Sequence, residues 1–239
     1  NQLTLWKLSP LGDLLGTYTL SQSAPALIGA VSVNASGVSI VGQLLEKPFV
    51  VSATSNGVFG KVISIGTSKT ALGAIVRHSD GSVSVFGSSA ETLGGKKLAG
   101  VRDGVLIRVS KTGAIASVVR SSAPKANRTW LAADSTLALT GFVKSGKIVE
   151  TAFTKFTMAF APTWTMRVPS LGTSTVLTAG NTTYGAISSS AAVPGVIGWK
   201  PTSASVLLLT LDSKGVVSGA YGSSEIAEPI SMAYSKELG

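Results

Sequence analysis

The stretch VLIRVSKTGAIASVV, residues 105–119, places two runs of apolar residues on either side of the polar turn SKTG. The same arrangement occurs as LTLWKLSPLGDLLGTY at 3–18 and as VLLLTLDSKGVVSGAY at 206–221. Short runs of aliphatic and β-branched residues separated by a Gly-containing turn predict a β-hairpin. The recurrence predicts that one supersecondary unit repeats along the chain.

The turn glycines give the period of the repeat. Gly12, Gly57, Gly113 and Gly215 occupy the turn in four copies, and a degenerate copy, TMAFAP, places Phe160 near the same position. Gly12 and Gly113 lie 101 positions apart, and Gly113 and Gly215 lie 102 apart. This spacing indicates that a unit of two repeats was duplicated.

A second hairpin alternates with the first. Its sequence is AVSVNASGVSIVG at 30–42, AIVRHSDGSVSVFG at 74–87 and WLAADSTLALTG at 130–141. Each repeat therefore contains four short strands, which we name A to D from the centre outward, and the sequence shows no helical period of comparable length. Four strands in about 45 to 56 residues are typical of a β-propeller blade.

The blade boundaries predict one domain over residues 1–239. Four complete blades are expected at about 28–66, 73–119, 129–168 and 174–221, and a fifth is split between 1–20 and 228–239. In the split blade, ISMAY at 230–234 is the expected strand A, and the sequence offers no strand B. Either that blade has three strands or residues outside 1–239 supply the fourth. The predicted fold is all-β, a five-bladed β-propeller with the closing blade shared between the N- and C-termini.

The repeated sequence pattern resembles the β-propeller repeat of secreted bacterial proteins. It consists of V-x-x-L-x-x-x-G, followed by A-x-x-x-D/N-x-x-G and a further strand. The resemblance covers essentially the whole chain. Members often have Trp in strand D, where Leu15 and Val118 stand here. The resemblance implies a secreted or cell-surface protein, and its five blades match the size of small lectins and of five-bladed glycosidases.

Composition narrows the function classes. The chain has a net charge of +9 and no cysteine, which rules out disulfides and thiolate metal sites. Its basic residues occur singly or in pairs, without the interleaved aromatic residues that stack bases, so nucleic-acid binding is not favoured. The longest apolar runs have about six residues, against the roughly 20 needed for a transmembrane helix. A start at Asn1 rather than Met leads us to expect a processed, exported chain.

Loop lengths predict which face is functional. The A–B and C–D turns are short, whereas the opposite face has two long loops at 88–104 and 188–204. Long loops on a rigid scaffold are where binding residues concentrate. The predicted ligand-binding residues are therefore those that offer charge or an aromatic ring in these loops: Lys96, Lys97, Arg102, Asp103, Trp199 and Lys200.

These two loops belong to the second and fourth blades. In a five-bladed ring of about 72° per blade they stand roughly 144° apart. We therefore expect them to face each other across the channel mouth as a clamp. Trp199 is either an exposed ligand platform or a loop anchor.

No catalytic, metal or cofactor site is predicted. His78 is the only histidine and reads as a surface turn residue, and the five aspartates lie one per region without a calcium-binding run. Glycosidases need two carboxyl groups about 5 to 10 Å apart, and the inner strands offer no such pair. The predicted function is a non-catalytic extracellular or cell-surface binding module for a glycan, an anionic polymer or a surface protein. The alternatives are a five-bladed glycosidase or other carbohydrate-active enzyme, and a structural segment of a larger surface protein.

Overall fold

The computed structural model describes residues 1–201 and 203–235. The strands of these residues form five antiparallel sheets. No helix among them is long and apolar enough to cross a membrane. The first sheet is a hairpin of two strands: β1 (Gln2–Leu8) and β2 (Leu14–Ser21).

The other sixteen strands form four sheets of four strands each, in chain order. Blade one contains β3 (Ala26–Asn34), β4 (Gly37–Leu44), β5 (Lys47–Thr54) and β6 (Ile63–Ser64). Blade two contains β7 (Thr70–Arg77), β8 (Val83–Ser89), β9 (Asp103–Val109) and β10 (Ile115–Ser121). Blade three contains β11 (Asn127–Ala133), β12 (Ala138–Ser145), β13 (Ile148–Phe156) and β14 (Pro162–Pro169). Blade four contains β15 (Ser174–Ala179), β16 (Thr182–Ser189), β17 (Ser205–Leu211) and β18 (Val217–Ser223).

The first strand of each blade is the innermost one. Strand β7 contacts β3 on one side and β11 on the other, and β11 in turn contacts β15. The apolar cores lie between successive blades: one cluster joins blades one and two, another joins two and three, and a third joins three and four. This radial stacking of antiparallel sheets is a five-bladed β-propeller, so the predicted fold class is confirmed.

The closing blade differs from the prediction in one respect. Its sheet contains only β1 and β2, and residues 230–234, predicted as strand A, do not form a strand. In each of the other blades, strand A is hydrogen-bonded to strand B, and strand B joins it to the rest of the sheet. Among the described residues no strand B pairs with β1, so 230–234 has no ladder to join.

The segment before 230–234 nevertheless makes hydrogen bonds like those of the connection between blades two and three. The carbonyl of Ile226 accepts a hydrogen bond from Val206 N at 2.8 Å, and the carbonyl of Ala227 accepts one from Ser188 Oγ at 2.6 Å. Ser205 begins β17 and Ser189 ends β16, so the chain crosses the ends of these strands towards the ring centre. The connection between blades two and three makes a comparable bond, from Val101 N to Ala126 O at 3.0 Å.

Apolar residues are exposed on the face of blade one that lies towards β1 and β2. Ile28, Val31 and Val33 pair with Gly42, Ile40 and Val38, which alternate along β4 and so share one face of blade one. Ile40 on this face packs with Leu3 of β1 in a buried cluster that also contains Phe49 and Val51. Val31 and Val33 are nevertheless 51% and 68% exposed. The hairpin β1–β2 therefore covers only the outer part of this face.

The backbone conformations of the turns confirm that the repeats align at these glycine positions. Gly12, Gly57, Gly113 and Gly215 all have φ between 77° and 93°, a region that glycine enters without steric cost. Phe160, at the corresponding position of the degenerate copy, has φ of 61°. The structure thus keeps the same left-handed turn where the sequence has lost its glycine.

Candidate ligand-binding cleft

The long loop of blade two folds outward. An added Cβ at Gly94 would press on the side chain of Val118, in the outermost strand β10, and the carbonyl of Lys96 accepts a hydrogen bond from Arg120 Nε at 3.1 Å. The side chains of Lys96 and Lys97 are exposed. This loop therefore rests on the outer edge of its own blade.

Asp103 has a structural role. Its carboxylate is fully buried, accepts hydrogen bonds from Ala99 N at 3.0 Å and Gly100 N at 2.8 Å, and forms an ion pair with Arg120 at 3.1 Å. A carboxylate with three donors inside the protein is not presented to a ligand. The carboxylate of Asp103 organises the loop, and its predicted role in ligand binding is untested.

Arg102 also contacts its own protein. Its Nη1 donates at 3.3 Å to the carbonyl of Lys69 and to Ser88 Oγ, and its side chain is partly buried. These contacts tie the end of the loop to the connection between blades one and two. Part of the hydrogen-bonding capacity of the Arg102 guanidinium is therefore already used within the protein.

The long loop of blade four also folds onto its own blade. The ring of Trp199 lies directly over Gly222 in β18, the outermost strand, and its Nε1 donates to the carbonyl of Ala191 at 3.1 Å. Lys200 beside it is exposed. A shallow cavity of about 430 Å³ next to Trp199 is lined by residues of blade four alone. Of the two roles considered for Trp199, this packing favours the loop anchor.

The predicted clamp across the channel mouth does not form from these contacts. Each long loop packs against the outermost strand of its own blade through a glycine contact: Gly94 of the first loop lies against Val118 in β10, and Trp199 of the second lies against Gly222 in β18. Ligand binding by Lys96, Lys97 and Lys200 stays a prediction.

The structure reveals a different concave site between blades two and three. This cleft has a volume of about 240 Å³ and is lined by β9 and β10 on one side and by all four strands of blade three on the other. Propeller blades diverge outward, and the wedge between them is here incompletely filled. Two small residues, Gly141 and Ala152, form part of the cleft wall.

Aromatic rings make up much of the cleft wall. Phe156 and Phe160 line it together with Trp130. Trp130 and Phe156 meet edge to face at 5.5 Å between ring centroids, which fixes both rings. The cleft thus offers a rigid apolar surface to a ligand.

Two guanidinium groups line the same cleft: Arg128 on β11 and Arg167 on β14. Arg120 on β10 borders the cleft, but its side chain lies on the other face of the strand, with Val118, where it pairs with Asp103 and donates to the carbonyls of Lys96 and Glu91. Among the described residues, Arg167 pairs with Glu150, at 3.8 Å and partly exposed to solvent. The cleft therefore carries excess positive charge.

Arg128 is the less compensated of the two. Its Nη1 donates to Ser121 Oγ at 3.0 Å, whereas its buried Nε has no acceptor among the described residues. Burial lowers the pKa of Arg128, the positive charge of Arg167 lowers it further, and Asp103 opposes both. A bound anion would relieve this unfavourable electrostatic environment.

The carboxylates of the described chain are mostly engaged in local structure. Asp80, Asp134 and Asp212 each accept a hydrogen bond from the backbone N–H two residues later, as in Asx turns. Hydrogen bonds from Ser82 hold the pKa of Asp80 below its usual value. Glu91 accepts from Thr67 N and from the hydroxyls of Thr67 and Thr70. Within 1–201 and 203–235, no three His, Asp or Glu residues group as a metal site.

His78 lies on an A–B turn, as expected, but is half-buried rather than a free surface residue. Its Nε2 lies 2.7 Å from the Oγ of Ser84. Ser84 is fully buried, and Asp80 Oδ1 accepts from the Ser82 backbone and hydroxyl. A buried serine and an occupied carboxylate do not make a nucleophilic triad.

Sequence analysis missed the cleft. Trp130, Arg128 and Arg167 were not among the predicted ligand-binding residues. The one available signal was NRTW at 127–130, where Arg128 and Trp130 are two residues apart on a strand and so share a face. The opposite wall comes from another blade, which a local pattern does not indicate.

Fold and cleft together define a five-bladed β-propeller with a cationic, aromatic-lined cleft between two blades. No family model matches the sequence, and no curated protein matches it either. Among solved structures, the chain is similar to the GH43 BlXynB protein from Bacillus licheniformis, with a TM-score of 0.38 and 10% sequence identity. The match covers 76% of this chain and 38% of that one. At this level the likeness carries no argument about activity.

Proposed function

We propose that this protein is a non-catalytic binding module that holds an anionic glycan in the cleft between blades two and three. One observation carries the proposal: Arg128 and Arg167 line an aromatic-walled cleft, and the one ion pair that either forms among the described residues is the partly exposed contact of Arg167 with Glu150 at 3.8 Å. Guanidinium groups bind carboxylate and sulfate groups through paired hydrogen bonds. The rings of the wall supply an apolar surface for the body of a sugar.

The size of the cleft agrees with a small ligand group. Its volume of about 240 Å³ lies just below the range of about 300 to 1,000 Å³ that is usual for drug-sized ligands. We expect one charged sugar unit to enter, with the remainder of the glycan outside. Such a site suits the end or a side branch of an anionic polymer.

The carboxylates support binding rather than hydrolysis. Glycosidases use two free carboxyl groups facing the scissile bond. Here Asp80, Asp134 and Asp212 cap turns, and Asp103 is buried in an ion pair. A secreted or cell-surface location, in keeping with the resemblance to secreted bacterial propellers, is part of the same proposal.

Calorimetric titration of the purified chain tests the proposal. The anionic probe is a hyaluronan tetrasaccharide, and the neutral probe is chitotetraose. We expect binding of the anionic probe alone, weakened by added salt because the contacts are ionic. Equal binding of both probes, or binding of neither, would contradict the proposal.

Paired charge-removing variants locate the site. The double variant Arg128→Gln with Arg167→Gln should lose binding at least tenfold, because two charge-assisted contacts are removed. The matched control is Lys96→Gln with Lys97→Gln, which also removes two positive charges but lies on the exposed loop. If the lysine variant loses binding and the arginine variant keeps it, the long-loop face is the site.

A further inference from the structure

The closing blade has an open strand position beside β1. Within residues 1–201 and 203–235, β1 is hydrogen-bonded to β2 on one edge and to no strand on its other edge. In each of the other four blades, the edge of strand C that faces the ring centre pairs with strand B. An unpaired edge presents a row of backbone N–H and C=O groups that can pair with another strand.

The turn that follows β1 aligns this strand with strand C of every other blade. In all five turns, the residue at the position of Gly12 donates its N–H to the carbonyl three residues earlier. Counting back from these turns, Thr4, Trp6 and Leu8 each have one equivalent in every complete blade. The equivalents are Phe49, Val51, Ala53, Val105, Ile107, Val109, Ala152, Thr154, Phe156, Leu207, Leu209 and Leu211.

Burial differs sharply between β1 and these equivalents. Every equivalent is buried, with at most 7% of its surface exposed. Trp6 and Leu8 are 67% and 57% exposed, and Thr4 is exposed as well. These three residues alternate along β1 and therefore share one side of the strand. That side lacks the cover that the complete blades give to the same positions.

The neighbouring side of blade four is also incompletely covered. Along β17, Leu207, Leu209 and Leu211 are buried towards blade three, whereas Val206 and Leu208 between them remain partly exposed. In β9, the equivalent strand of blade two, both faces are buried except at Arg108. The space between blade four and the closing hairpin can therefore accept further apolar side chains.

Strand B of three blades shows what fills the equivalent position. Its sequence is VSIVG at 38–42, VSVFG at 83–87 and LALTG at 137–141, an uncharged pattern of aliphatic-x-aliphatic-x-Gly. The middle aliphatic residue lies opposite the equivalent of Trp6, and the glycine lies opposite the equivalent of Thr4. A Cβ on this glycine would collide with a carbonyl of strand A. The pattern therefore describes a strand that fits between strands A and C.

The described chain has no strand left over with this pattern. Each strand B is already hydrogen-bonded on both edges within its own blade. The segment ISMAY at 230–234 contains no glycine. A second copy of the chain would have to open one of its own blades to supply the strand. The occupant is therefore better supplied by a different polypeptide.

We propose that the free edge of β1 binds one extended strand of a partner protein, an uncharged segment with the pattern aliphatic-x-aliphatic-x-Gly. The strand runs antiparallel to β1, with its glycine opposite Thr4 and its aliphatic residues beside Trp6 and Leu8. Main-chain hydrogen bonds supply affinity, and the aliphatic side chains supply specificity. Residues 230–234 then gain the ladder that they lack. This site is separate from the cleft between blades two and three and does not depend on the glycan proposal.

A synthetic peptide with the sequence of residues 80–90, DGSVSVFGSSA, serves as the probe. Trp6 is the one exposed tryptophan of the four, all of which lie in the described part of the chain. Binding should shift the tryptophan emission to shorter wavelength, and Trp6→Phe should bind the peptide without this shift. Amide exchange in β1 should slow about tenfold at a peptide concentration ten times the dissociation constant.

A peptide with Gly87→Val is the matched control. It should bind about tenfold more weakly or worse, because the added side chain collides with strand A. The inference is overturned if Trp6 emission does not respond, if both peptides bind equally, or if exchange slows in the outermost strands β14 and β18 instead of β1. Sedimentation of the chain without peptide tests the competing occupant: a dimer in which Trp6 is already shielded would show that a second copy covers this edge, and would also overturn the inference.

Discussion

The Nε2 of His78 and the Oγ of Ser84 are 2.7 Å apart, with the histidine half-buried and the serine fully buried. Burial lowers the pKa of His78, the positive charge of Arg108 lowers it further, and Asp80 opposes these effects. The folded protein therefore favours the neutral imidazole. Protonation of His78 therefore destabilises the folded state.

This pKa shift predicts how stability depends on pH. Because the folded pKa lies below the unfolded value of about 6.5, the contribution of His78 is complete above that pH and is lost as pH falls towards the folded pKa. We expect the free energy of unfolding in urea to decrease between pH 7 and pH 5. Asp80 and Asp212, whose pKa values are lowered, lose their contributions only below about pH 4.

The variant His78→Gln tests the assignment. Glutamine keeps a hydrogen-bonding side chain and does not titrate, so the stability of this variant should be nearly constant between pH 7 and pH 5. An unchanged slope in the variant would show that another group is responsible.

Removing the buried carboxylate Asp103 should be costly. Asp103→Ala leaves the buried guanidinium of Arg120 without its counter-ion, and such changes typically cost about 3 to 5 kcal/mol. The loop at 96–100 also loses its two backbone contacts to the carboxylate, so trypsin should cleave faster after Lys96 and Lys97. Glu150→Ala, which breaks the partly exposed pair with Arg167, should change stability by less than about 1 kcal/mol. Similar losses in both variants would contradict this account.

Glycine is required at one position of the second strand in three blades. A Cβ at Gly42, Gly87 or Gly141 would collide with a backbone carbonyl of the innermost strand, that of Leu27, Ala71 or Thr129 respectively. Gly87→Ala should therefore destabilise the protein by about 2 kcal/mol or more, measured by urea unfolding. Gly73→Ala is the control, because no atom lies within 4 Å of its Cβ position, and it should be neutral or stabilising by up to about 1 kcal/mol. Equal effects would show that the carbonyl contact is unimportant.

We expect the hairpin β1–β2 to be anchored to blade one through Leu3, near the start of β1. Leu3 is 6% exposed in the cluster with Ile40 and Phe49, whereas Leu8 at the other end of the strand is 57% exposed. Leu3→Ala should cost about 2 kcal/mol or more, and the chemically identical Leu8→Ala less than about 0.5 kcal/mol. Hydrogen exchange should also show faster opening of β1 in the first variant alone. If both variants behave alike, the hairpin is not anchored through Leu3.

The sequence by itself determined the repeat, the strands and their turns. Alternating hairpins and turn glycines follow from local backbone preferences, which act over a few residues and can be recognised wherever they recur. The five sheets and the order of strands within each blade belong to this class. The turn at Phe160 was also located, through its spacing from Gly113 and Gly215.

Only the tertiary structure decided what Phe160 does in that turn. Its left-handed backbone is unfavourable for a residue with a side chain, by roughly 1 to 2 kcal/mol. The buried ring compensates by packing edge to face on Phe86 at 6.0 Å and beneath Arg108 at 5.1 Å. These partners come from another blade, so no local pattern predicts them.

The same physical reason governs the candidate site. The packing of the long loops depends on the contacts of Gly94 with Val118 and of Trp199 with Gly222. The cleft depends on Arg128 and Trp130 meeting Ser121 and Gly104 across two blades. Such contacts join residues that are distant in sequence, and they form through side-chain volume and burial rather than periodicity. The sequence therefore determines the blades, and packing between the blades determines where a ligand can bind.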